Sequence, residues 1–174
     1  MKLREATAEL HSKAEKMEFN QRMFRGELST GEYANYLHQQ LAIFDAIESQ
    51  SRTYPTLNRV DNIKVDLLEL NSSLDVTGSL LPSTLEYANH IASLSEKERL
   101  PHVYLNYLAL AYGGQMMKTK VPGSGKMYDF EDMQEAVGSI RAIQRDEWAD
   151  EVNKGFQFII NIADELQNNT GSNS

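Results

Sequence analysis

Apolar side chains recur at steps of three and four residues along most of this 174-residue chain, and no convincing period of two replaces them. That spacing commits the chain to amphipathic helices, and four prolines with short polar links mark where they stop. Residues 3–19 read as a first helix, with Leu3, Ala6, Leu10, Ala14 and Met17 on one stripe. Ser29 stands three residues before Glu32 and Ser95 three before Glu98, so capping boxes open the second helix (to about 49) and a later one. Pro55 and its polar neighbours close the second helix, and a shorter one follows over about 61–70. Past a turn-rich loop (71–82), Pro82 and Ser83 open a helix with Leu85, Ala88, Ile91 and Leu94 as its apolar side. Pro101 falls early enough in the next helix to be tolerated, and further helices are expected over about 131–144 and 147–167. Neither repeat nor linker divides the chain, giving one all-α domain over 1–167 and a polar tail over 168–174.

The composition excludes several functions. Absence of cysteine removes disulfides, thiolate metal sites and a cysteine nucleophile, which fits a reducing cytosol. A net charge of −8 disfavours nucleic acid as a partner. No run approaches the roughly 18 apolar residues of a membrane helix. No signal peptide is visible, so a soluble, cytoplasmic protein is expected.

Two features carry chemistry. His11 sits at the edge of the first apolar stripe, one turn before Glu15, so the carboxylate can hold one ring nitrogen and leave the other for a metal. A satisfied structural histidine explains the same residues. Gly113 and Gly114 interrupt an apolar helical pattern at a propensity cost of about 2 kcal/mol relative to alanines. Either the helix ends there, with Lys118 complementing its carbonyls, or the backbone must lie close to a flat ligand.

Three blocks resemble the heme oxygenase family. Thr7, His11, Ala14 and Glu15 match the T-x-x-x-H-x-x-A-E pattern of its first helix. HVYLNYLALAYGGQMMK (102–118), with Gly113, Gly114 and Gln115, matches its distal helix, and FQFIINIADEL (156–166) is similar to its closing helix. The blocks keep their order over nearly the whole chain and look like the short bacterial, plastid or viral form. The resemblance implies a single-domain helical bundle holding heme between the first, proximal helix and the Gly-Gly distal helix. His11 would be the axial iron ligand oriented by Glu15, Gly113 and Gly114 would cover the distal face, and Arg4, Tyr104, Arg141 and Arg145 would anchor the propionates. Arg141 and Arg145 would share a helix face. Heme would be cofactor and substrate, opened with O2 to biliverdin, CO and iron. Electrons would come from ferredoxin, with a bilin reductase downstream, in the cytoplasm, a plastid or a host cytosol.

The chain departs from the family at its distal acid. An aspartate that orders waters over the heme is replaced by Leu110. Phe44, Asn106 and Ile159 stand where the family often has tyrosine, arginine and asparagine, and Ala109 replaces a glycine. Tyr112, Asn106, Gln115 or a backbone carbonyl would have to order the water instead. A heme carrier or sensor without turnover is therefore the rival reading. Thiamine-salvage hydrolases share related architecture but need a cysteine, and di-iron oxidases need paired E-x-x-H sets. Here only Glu86 and His90 lie one turn apart, as expected of a surface pair. His38, His90, His102 and Trp148 each read as structural.

Overall fold

The computed structural model describes residues 1–50 and 55–169, so the expected closure before Pro55 and the end of the expected tail (170–174) lie outside the described residues. Nine α-helices are found among them: α1 Leu3–Ala6, α2 Ala8–Glu15, α3 Glu18–Phe24, α4 Thr30–Glu48, α5 Val60–Glu69, α6 Pro82–Ser93, α7 Glu96–Lys118, α8 Met133–Ile143 and α9 Ala149–Asn169. No strand occurs among the described residues, and none of the helices is long and apolar enough to cross a membrane. The last helix runs through Asn168 and Asn169.

Both capping boxes form as spaced, Ser29 with Glu32 and Ser95 with Glu98. The expected first helix is three. Thr7 turns its hydroxyl back onto the Leu3 carbonyl (2.9 Å) and leaves helical geometry, which separates α1 from α2. Met17 is extended, and from α3 the side-chain amides of Asn20 and Gln21 donate to the carbonyls of Ala14 and Glu15, ending α2. Pro101 sits in the second turn of α7 rather than its first, and the carbonyl it leaves without a helical donor belongs to exposed Lys97.

On α6 the buried face is Thr84, Tyr87 and Ile91, while Leu85 is 46 % exposed. The expected stripe is thus rotated by one residue, because the helix buries its tyrosine: Tyr87 stacks on Phe158 of α9 at 4.9 Å.

The main core runs between α4, α5, α6, α7 and α9. A second small core of Leu3, Leu105, Trp148 and Val152 fastens the amino terminus to α7 and α9, and Trp148 is the core aromatic expected. A 3-10 turn, Lys126–Tyr128, passes beside α7. Buried Asp66 accepts from the amides of Lys126 and Met127 (2.8 Å each), and buried Arg59 donates to the Met127 carbonyl (2.9 Å). The left-handed residue that starts this turn is Gly125 (φ +64°).

Candidate functional site

α2 and the middle of α7 face each other across a cavity of about 720 Å³, and α3, α4, α8 and α9 supply further walls. Its volume lies within the roughly 300–1,000 Å³ usual for cofactor pockets. Arg4, His11, Glu15, Tyr104, Gly113 and Arg141 all border it, although residues 4 and 141 lie on elements far apart in the chain.

His11 pairs with Glu15 as its spacing requires, Nε2 to Oε1 at 2.9 Å. Both side chains are more than half exposed, so the pair is available to a ligand rather than consumed by the core. Phe156 of α9 stacks on the imidazole (5.4 Å between centroids, 19° between planes) and limits its rotation. The ring thus has one nitrogen held by a carboxylate and one that is not.

The two glycines lie inside α7, five and four residues before its end, so the helix-end reading fails. They also divide the task expected of both. A Cβ on Gly113 would meet nothing within 4 Å, and the residue borders the cavity. On Gly114 a Cβ would lie 3.3 Å from Cβ and Cδ1 of Tyr128, and Gly114 itself does not border the cavity. Gly114 lets the 126–128 turn pack against α7, and Gly113 keeps the cavity wall thin.

Among the cationic and hydroxyl candidates, Arg4, Tyr104 and Arg141 reach the cavity and Arg145 does not. α8 ends at Ile143 and Arg145 is extended, so Arg141 and Arg145 do not share a helix face. Arg141 donates to Tyr112 Oη (2.9 Å) and Gln144 Oε1 (2.7 Å), and Tyr104 packs edge-on against Trp148.

Leu110, Ile159 and Ala109 border the cavity at the expected distal positions, with Asn106 one turn before Leu110. Both Asn106 contacts use its Nδ2, which donates to Tyr87 Oη and to the His102 carbonyl. Gln115 and Phe44 are not in the cavity wall. Sequence reasoning missed Tyr36 and Gln40, which border it from α4. Their spacing of four was the available signal, and burial pushes the Tyr36 hydroxyl up to about 12, leaving it a neutral donor.

Outside the cavity, His90 pairs with Glu151 of α9 (2.5 Å) rather than with Glu86, correcting the surface-pair reading. His102 reaches the same carboxylate, and His38 bonds Ser72 Oγ (2.9 Å), a structural role as expected.

No curated protein sequence matches the chain. Its fold matches heme oxygenase-1 of the cyanobacterium Synechocystis in complex with heme, with a TM-score of 0.82, 20 % identity, and 96 % of this chain and 91 % of that one covered. The heme oxygenase of Leptospira interrogans matches at a TM-score of 0.81 and 22 % identity, covering 94 % of this chain and 97 % of that one. The family model for heme oxygenase spans residues 1–164, and the chain belongs to the heme oxygenase family.

Proposed function

We propose that this chain binds heme between α2 and α7 and opens its ring to biliverdin, CO and iron, with O2 and electrons from an external donor. The observation that carries this reading is the cavity itself. A carboxylate-held imidazole stands on one side and, at Gly113, a position of α7 without a side chain on the other. Heme supplies the iron and the oxidisable macrocycle. His11 ligates through the nitrogen that Glu15 does not hold, and a flip of the ring exchanges the two nitrogens. Phe156 keeps the imidazole plane in place. Arg4, Arg141 and Tyr104 meet the propionates, and Arg141 leaves Tyr112 to do so. No glycine fingerprint for a nucleotide is present, so ferredoxin is the proposed donor and a bilin reductase the consumer of the product. The cysteine-free chain fits a reducing compartment such as the cytoplasm or a plastid.

One observation favours a heme carrier or sensor instead: Leu110 and Ile159 give the distal wall apolar side chains that cannot order water. Hemin titration followed by ascorbate or reduced ferredoxin in air separates the two. A Soret band that fades as a biliverdin band grows supports turnover, and one that persists supports the carrier. In His11→Ala the six-coordinate histidine-ligated spectrum should be lost; its survival would remove His11 as ligand.

A further inference from the structure

A second cluster of metal-ligand side chains lies outside the cavity wall. His90 of α6, His102 of α7 and Glu151 of α9 each offer one donor atom, and the three atoms lie within 4.8 Å of one another. Both imidazoles aim Nε2 at the same carboxylate oxygen, Glu151 Oε1, at 2.5 and 2.8 Å. An ion bonded to each donor at about 2.1 Å needs neighbouring donors about 3–3.5 Å apart, so the two nitrogens and the carboxylate oxygen stand within reach of one coordination shell.

We infer that His90, His102 and Glu151 form a binding site for one divalent first-row transition ion, of which zinc is the type. Two imidazoles and a carboxylate with open positions are the donor set of catalytic zinc sites and of non-heme ferrous sites. The surroundings have what such a shell needs. Tyr87 Oη lies 2.8 Å from His102 Nδ1, where it accepts the ring proton that moves there once Nε2 carries the ion. Asn106 Nδ2 donates to the same hydroxyl at 3.0 Å and fixes it. Gly155 makes the room, since a Cβ there would stand 3.0 Å from Tyr87 Oη and 3.2 Å from His102 Nδ1. His102 is fully buried, while His90 and Glu151 keep 21 % and 27 % of their side chains exposed, which gives the ion access from solvent. Lys154 Nζ lies 4.0 Å from the outer oxygen of Glu151, and at 54 % exposure it is free to swing away. One carboxylate and two neutral imidazoles leave a net charge of −1 for the cation to meet. The bound ion would tie α6, α7 and α9 together away from the cavity.

Zinc titrated into the ligand-free chain by calorimetry tests this, with cobalt absorption as a second readout. One saturable ion per chain is expected. The affinity should fall at least about tenfold in His90→Ala and in Glu151→Gln, and should hold in His11→Ala. His102 is spared because it is fully buried and its removal opens the core; circular dichroism confirms that the two partly exposed variants keep their fold. No saturable uptake, or wild-type affinity in both variants, would reduce the cluster to a hydrogen-bonded network. Loss of uptake in His11→Ala would move the ion to the His11–Glu15 pair. Either result overturns the assignment, and heme binding in the cavity is read separately by the hemin titration.

Discussion

Gly113 offers the sharpest test of why the middle of α7 is slim. It lies in the interior of a 23-residue helix, where glycine costs about 1 kcal/mol relative to alanine. Nothing stands within 4 Å of the Cβ that alanine would add. Gly113→Ala should therefore stabilise the ligand-free protein by about 0.5–1 kcal/mol. In a chain of this length, that raises Tm by about 1–4 °C, read by calorimetry without heme. The methyl group projects into the space reserved for the macrocycle, so hemin affinity should fall at the same time. Gly113→Leu should lower it at least about tenfold, or about 1.4 kcal/mol, in a Soret titration while the far-ultraviolet dichroism stays unchanged. Opposite signs for stability and binding separate close approach from mere fold maintenance. A variant that gains the stability and keeps wild-type hemin affinity refutes the reasoning.

Gly155→Ala should behave in the opposite way. The crowding against Tyr87, His102 and Leu105 costs about 1–3 kcal/mol against a helical gain of about 1, so a lower urea midpoint is expected. Arg141→Ala should weaken binding of hemin but not of its dimethyl ester, since an exposed guanidinium meeting a carboxylate contributes no more than about 1 kcal/mol; equal losses for both would remove the propionate role. Acid should destabilise the fold. Burial holds the His102 imidazole below its ordinary range, so the unfolded chain takes a proton below about pH 6.5 that the folded chain refuses. Burial pushes the Glu151 carboxyl up, but hydrogen bonds from His90 and His102 outweigh it and hold it below its usual range, so its contribution is lost at still lower pH. The slope approaches about 1.4 kcal/mol per pH unit for each proton taken up, and urea midpoints that stay flat from pH 7 to 5 would contradict it.

What the sequence makes legible here is what neighbours in the chain decide. Ser29 with Glu32 and Ser95 with Glu98 are each complete within four residues, and both boxes form. His11 and Glu15 are one turn apart and meet at 2.9 Å. The interruption at Met17 is less visible, because the carbonyls that end α2 are taken by side chains of the next helix. The face of α6 turned on the burial of Tyr87 against Phe158, a partner 71 positions away. His90, His102 and Glu151 come from three helices, and no spacing along one helix announces them.

The glycine pair shows where sequence reasoning stopped short of what it already contained. Adjacent residues on an α-helix point about 100° apart. Two consecutive glycines therefore need not answer to the same neighbour, although adjacent α7 residues such as Tyr112 and Gly113 do both border the cavity. Gly114 answers to a neighbour from another segment. That neighbour is Tyr128, carried to α7 by a turn that Asp66 and Arg59 hold through its backbone. The thin cavity wall at Gly113 thus depends on a close helix contact one residue on, so a bulky residue at 114 should disturb the cavity indirectly, by displacing the 126–128 turn, where one at 113 fills it.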